Sequence, residues 1–290
     1  MYEENYIIRL FIFVDDFLKN LEKIENFNKP RIGKNKCGRK RELSISEIVT
    51  LGILRFSLSF TNWKDYHRFL KKYLKDWFPH LTNYENFLKY LNETFGLVIL
   101  LMLVMLRNVK RRTNIQFIDS TDLRVCDNKR ISTHKVCKDI AARGKTSKGW
   151  FYGFKLHIVC DEKENLLAIQ ITPGNTDDRE CLEKLLKGVE GLVIGDAGYL
   201  SQKIAKRFYE KGILLLTGTR RNMKKIMTKD QHKLLKKRQI VETVFSLLKT
   251  RMGIVTTLAR SVKGLLRHYI YCIFAYILKK SFNDVFALEN

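Results

Sequence analysis

The chain has 290 residues, 45% of them hydrophobic and 11% aromatic, with three prolines; that suits one large or two smaller globular domains and leaves no long polar tract to read as disordered. Lys and Arg number 54 against 30 Asp and Glu, and the net charge of +24 exceeds what solubility needs, so a polyanionic partner is expected, nucleic acid first. The longest apolar runs, 97–106 and 269–278, are about half of a bilayer span, and "MYEENYIIRL" is acidic before it is apolar, unlike a secretory signal, so a soluble, intracellular chain is expected.

Up to about residue 110 the pattern is helical. "IIRLFIFVDDFLKNLEKI" has apolar residues at helical spacing. A Gly- and Lys/Arg-rich linker, "KPRIGKNKCGRKRE" (29–42), follows. "LSISEIVTLGILRFSLSF" reads as a helix that Ser44 or Ser46 could cap, with Glu47 completing a capping box on Ser44. "NWKDYHRFLKKYLKDWF" and "TNYENFLKYLNETFGLVILLMLVMLRNV" read as further helices. Residues 1–110 are therefore expected to form an all-α N-terminal domain.

Beyond 111 the alternation changes. "NIQFID", "WFYGFKLHIVCD" and "NLLAIQITPG" read as strands, "DDRECLEKLLKGV" as a helix and "GLVIGDAGY" as a strand and turn. "SQKIAKRFYEKG" is a helix, "ILLLTGT" a strand, and "TKDQHKLLKKRQIVETVFSLLKTRM" one long helix. This order predicts a mixed β-sheet flanked by helices over 111–290, an α/β domain with functional groups at strand ends. Between Asp122 and Gly149 lies a basic loop with Arg124, Lys129, Arg130, Lys135, Lys138, Arg143, Lys145 and Lys148; a loop this long is usually functional or mobile. The six cysteines (Cys37, Cys126, Cys137, Cys160, Cys181, Cys272) are scattered, so free thiols are expected; Cys126, His134 and Cys137 match no common zinc spacing.

Three acids stand out. Asp119 closes "QFID" and Asp196 closes "GLVIGD", each after an apolar run, and strand neighbours would bring both to one sheet edge. At about 100° per residue, Glu242 shares a helix face with Arg238 and Lys249, beside the apolar stripe of Val241, Val244 and Leu248. Three carboxylates at one site repel unless a cation sits among them, and Mg²⁺ suits carboxylate and phosphate oxygens. Two such ions about 4 Å apart can activate a water or a 3′-hydroxyl and stabilise a leaving oxygen. In a basic chain this is a nuclease or strand-transfer chemistry. Each acid alone also has an ordinary account. Asp119 could be a solvated strand end, Asp196 a turn residue, and Glu242 half of an i, i+4 pair with Arg238.

"FIDSTDLRV", "GFKLHIVCDEKENLLAIQITPGNTDDRECLEKLL", "VIGDAGYLS" and "KRQIVETVFSLLK" resemble, in order, the blocks of bacterial insertion-sequence DDE transposases. The chain is most similar to the IS982 family within the wider IS4/IS5-like group; "GRKRELSISEIVTL" resembles that family's N-terminal segment. The resemblance covers nearly the whole chain. It implies an RNase H-like catalytic domain with Asp119, Asp196 and Glu242 as catalytic and metal-binding triad, using two Mg²⁺ with Mn²⁺ as a substitute. Arg238 and Lys249 correspond to DNA contacts, whereas the Tyr of the IS4 pattern is replaced by Leu235. Asp122 is the rival for the first aspartate. Asp177 and Asp178 read as helix-start acids, and His157 as a core or supporting residue.

The implied partner is double-stranded DNA, both terminal inverted repeats and target. The basic loop (Arg124, Lys129, Arg130, Arg143, Lys145, Lys148) would lie against it, with the helical domain finding the ends and dimerising. The implied location is the bacterial cytoplasm, on the nucleoid. An inactive DNA-binding remnant and a same-fold nuclease that cuts without joining are the alternatives.

Overall fold

The computed structural model describes residues 2–23, 42–109, 114–147, 149–199, 201–218, 227–256 and 258–288. Most of the predicted linker, with Cys37, lies outside them, as does Lys148. The helices are α1 (Tyr2–Glu22), α2 (Ile45–Ser57), α3 (Trp63–Tyr73), α4 (Tyr84–Glu93), α5 (Phe95–Val109), α6 (Leu182–Leu185), α7 (Gln202–Tyr209), α8 (Lys229–Lys236), α9 (Gln239–Ser246) and α10 (Val262–Leu288). The strands are β1 (Ile115–Cys126), β2 (Ala142–Thr146), β3 (Gly149–Asp161), β4 (Leu166–Pro173), β5 (Gly191–Gly195) and β6 (Ile213–Thr217). Among the described residues no single helix is long and apolar enough to cross a membrane.

The chain forms two compact units. Met1–Leu103 groups with Arg251–Lys279, and Val104–Thr250 groups with Lys280–Asn290. A division at residue 110 therefore assigns the "YIYCIFAYIL" run to the sheet half, whereas it belongs to the helical unit. The reason is burial. Tyr269 and every residue from Tyr271 to Leu278 are buried, so α10 is apolar all round and acts as a core helix. It passes close to α2 at Gly52, where a Cβ would stand 2.3 Å from the Tyr271 ring. The Tyr271 hydroxyl lies 3.4 Å from Thr94 Oγ1.

Ser44 caps α2 in the predicted box: its hydroxyl accepts from Glu47 N (3.1 Å), and Glu47 Oε2 accepts from Ser44 N (2.7 Å). The helical stretch 82–109 forms two helices, α4 and α5. They break at Thr94, whose hydroxyl donates back to Tyr90 O (3.0 Å), a bond that bends helices.

In the sheet unit the strands run β2-β3-β1-β5-β6, with β4 also paired to β3. β3 lies antiparallel to β1, β2 and β4, whereas β1–β5 and β5–β6 are parallel. The sheet is mixed, as the element order predicts. One face packs Ile118, Val159 and Val193 against Leu182, Leu185 and Phe208 in a buried core.

Four local predictions are corrected. Asp119 is not a strand end: β1 continues to Cys126 because β3 keeps pairing with it, Asp119 opposite Ile158. The basic loop is partly sheet. Leu123–Cys126 pair with β3, and 142–146 form β2, a strand the sequence hid among charges. A bulge between Arg124 and Cys126 faces Gly153, where a Cβ would stand 2.1 Å from Leu123 O, so only glycine fits. The long helix is interrupted. Lys237 and Arg238 form a turn of i→i+3 bonds between α8 and α9, and Leu247–Arg251 is π-helical. The predicted helix over 177–189 shrinks to a 3₁₀ turn, Asp178–Cys181, and the single turn of α6.

Candidate active site

Parallel pairing sets the level of the first two acids. Phe117 pairs with Ile194, so Asp119 and Asp196 each lie two residues beyond the last paired position and on the same face of the sheet. That face is opposite the one carrying Ile118, and α9 packs against β1 and β3. Val241, Val244 and Phe245 anchor the helix in the core. Glu242, on its first turn, stays exposed.

Arg238, in the turn before α9, ties the three acids together. Its Nη1 lies 3.6 Å from Asp119 Oδ2 and 3.4 Å from Asp196 Oδ1, and its Nη2 lies 3.8 Å from Glu242 Oε1. Asp119 is 20% exposed, against 58% for Asp196 and 60% for Glu242. Each aspartate also turns back on its own chain: Asp119 Oδ1 accepts from Ser120 N (2.8 Å) and Asp196 Oδ1 from Ala197 N (2.7 Å). Burial pushes the Asp119 carboxyl up to about 6; the Ser120 N–H and Arg238 oppose the rise, and Asp196 and Asp178 add to it.

The donors are all carboxylates, a hard oxygen set that fits divalent cations of the Mg²⁺ class. In this arrangement they surround a guanidinium. Among the described residues no group of three or more His, Cys, Asp or Glu is spaced to hold a metal ion.

Asp122 is engaged elsewhere. It takes Arg124 Nε at 2.7 Å and Lys249 Nζ at 3.1 Å. Burial would raise its carboxyl, but these two cations hold it below the ordinary range. Lys249 therefore does not line up with Arg238 and Glu242 as a regular helix predicts, because the π-helical turn breaks the count.

The other basic candidates are dispersed. Lys129 and Arg130 are exposed on a 3₁₀ turn. Arg143 and Lys145 project from β2 beside half-exposed Trp150, 5.1 and 5.6 Å from its ring centre.

Asp177 and Asp178 part company. Asp177 caps the 3₁₀ turn, accepting from Arg179 N at 2.9 Å, and Arg179 holds its carboxyl down to about 2. Asp178 instead takes Lys155 Nζ at 3.0 Å and stands 3.8 Å from His157 Nδ1. His157 is fully buried, bonded through Nε2 to Thr172 Oγ1 (2.9 Å), and burial lowers it despite Asp178. Asp178, read in the sequence as a helix-start acid, thus borders Asp119, and its partner Lys155 was not singled out by sequence.

Comparison with known proteins follows this geometry. The sequence model of the family described as "Transposase DDE domain" matches residues 109–262, more than half of the chain. No curated protein sequence matches. Among solved structures, the piggyBac transposase synaptic complex with hairpin DNA is similar, at TM-score 0.50 and 12% identity, covering 94% of this chain and 71% of that one. The Mos1 transposase paired-end complex with left transposon end matches at TM-score 0.22 and 9% identity, over 92% of this chain and 86% of that one, too low to bear on the fold. The likeness is one of fold: a helical N-terminal region and a mixed α/β sheet of the RNase H-like kind.

Proposed function

Because the chain belongs to the transposase DDE domain family, we propose that it cuts DNA at the ends of an insertion sequence and joins the freed 3′ ends to target DNA. One observation carries the reading: Asp119, Asp196 and Glu242, from three separate elements, all stand within 3.8 Å of one guanidinium. Domains of this family use divalent metal ions. In this proposal the three acids hold two Mg²⁺, with Mn²⁺ able to replace them. Bound there, the ions polarise phosphate oxygens and lower the pKa of a water or a 3′-hydroxyl.

The chain's own residues do the rest. The fixed register of β1 and β5 holds Asp119 and Asp196 level, so their oxygens share one target. Arg238 neutralises the acids against each other. Its planar fork also suits a phosphodiester, so the same side chain serves the DNA once it leaves the carboxylates. Asp122 fixes Lys249 and Arg124 at the rim. Arg143 and Lys145 beside Trp150, with Lys129 and Arg130, offer a charged and aromatic surface for the strand. Terminal repeats and target DNA are the substrates in this reading, a homodimer holds the two ends, and the protein works on the nucleoid as a member of the IS982 group.

Asp119→Asn, Asp196→Asn and Glu242→Gln are each expected to abolish metal-dependent cutting of labelled end DNA while gel shifts persist. Cutting retained in all three variants would sink the assignment. Cutting without joining identifies a nuclease of the same fold, and binding alone an inactive remnant.

A further inference from the structure

The helical unit contains a cavity of about 780 Å³ lined by residues of α2, α3, α4 and α10 and the segments leading into α3 and α10. Its lining includes four cations, Arg55, Lys64, Arg260 and Arg267, and no Asp or Glu. Arg55 and Arg267 are 1% and 6% exposed. A buried guanidinium ordinarily has a carboxylate partner, because desolvating the charge is costly. Here the partners are neutral. Arg55 donates to Thr61 O and lies 3.4 Å from His268 Nδ1. Arg267 donates to Leu88 O (3.1 Å) and Asn92 Oδ1 (2.7 Å). Both also lie against Trp63, their Cζ atoms 4.4 and 5.3 Å from its ring centre.

His268 supplies no negative charge. It lies 3.0 Å from Gly253 O through Nε2, so its Nδ1 is free to accept from Arg55. Each arginine keeps its Nε–H buried and without a partner. Burial lowers Arg55 to about 10, which marks a charge short of compensation.

Two helix N-termini border the same cavity. Asn62 caps α3, and the Ser261 hydroxyl accepts from Gly264 N (3.1 Å) at the start of α10. N-terminal amides and dipoles favour anions. Lys64 and Arg260 stand exposed on the rim. The cavity is wide for a bare phosphate and offers an indole face beside the cations.

We propose that this cavity is a phosphate-binding pocket that takes the phosphate of a nucleotide, within a DNA strand or free, with its base or sugar against Trp63. It is separate from the carboxylate site and does not depend on that site's chemistry.

The test uses the full chain with Trp77→Phe and Trp150→Phe, so that Trp63 is the remaining tryptophan. Its fluorescence is followed against thymidine 5′-monophosphate, thymidine and a short DNA duplex. The monophosphate is expected to give a saturable change and thymidine none. Arg267→Gln is expected to weaken the response about ten-fold or more. Should that variant melt abnormally, Lys64→Gln with Arg260→Gln on the rim is expected to weaken it, while Lys71→Gln with Lys72→Gln, an equal charge loss at the far end of α3, leaves it unchanged. A response to duplex as well as monophosphate assigns the pocket to a DNA strand; a response to monophosphate alone assigns it to a free nucleotide. No response, an equal response to thymidine, or equal weakening by both double variants overturns the pocket. End cutting measured on the unsubstituted full chain stays intact in that event, which separates this failure from failure of the proposed function.

Discussion

At the scale of single residues, Arg238 decides how the three acids coexist. Removing it leaves Asp119 beside Asp196 and Glu242 with no cation among them. Arg238→Ala should therefore lower stability without metal by roughly 1 kcal/mol, a modest loss because Asp196 and Glu242 are more than half exposed. Added Mg²⁺ should raise the melting temperature of the variant more than that of the parent; thermal melts with and without the ion check both.

His268 makes the helical unit sensitive to acid. Burial and the facing Arg55 and Arg267 lower it from an ordinary 6.5 to about 4. Between those values the unfolded chain binds the extra proton, so its contribution is fully present above pH 6.5 and is lost as pH falls toward 4. The loss should reach about 3 kcal/mol. His268→Gln should flatten the decline in a series of melts between pH 7 and 4.5.

Asp119 and Asp196 stood out in the sequence because apolar runs ended on them, and Glu242 because of its place on a helix face. Their common level was not, since the pairing of Phe117 with Ile194 is written in no local pattern. Arg55 and Arg267 were invisible as a pair for the same reason. Each reads in sequence as the polar residue of an apolar helix, and only the fold brings both to Trp63.

At the scale of elements, close approach governs. Gly52→Ala would place a methyl 2.3 Å from Tyr271 Cε1 and 2.8 Å from Leu91 Cδ2. A loss of about 1–3 kcal/mol is expected from the overpacking, read as a lower midpoint in denaturant melts. The capping box of α2 was legible because its two bonds lie within four residues. Strands with apolar alternation, β3 and β4 above all, were legible too. β2 was not, because "ARGKT" has too little apolar pattern to show, and its pairing with β3 comes from the hairpin around it. The break between α8 and α9 escaped notice because "KKRQI" has no proline or glycine to mark it. Backbone bonding at Lys237 and Arg238, not composition, ends the helix there.

At the scale of the whole molecule, the helical unit is discontinuous in sequence. Its first part ends at Leu103 and its second runs from Arg251 to Lys279, with α10 buried at its core. Residues 1–103 alone should lack a cooperative melt, and a fusion carrying 251–279 behind a flexible linker should restore one; circular dichroism on the two fragments decides. The charge balance announced a basic protein but not this interleaving, because an apolar run such as "YIYCIFAYIL" is equally at home under a sheet or among helices.

That interleaving has a consequence in time. A ribosome releases β1 to β6 before it supplies the helix that completes the first unit. A chain cut short by a frameshift or a nick would leave α2 and α4 without the helix they pack on, open to proteolysis. Only a chain that carries α10 acquires the cavity around Trp63.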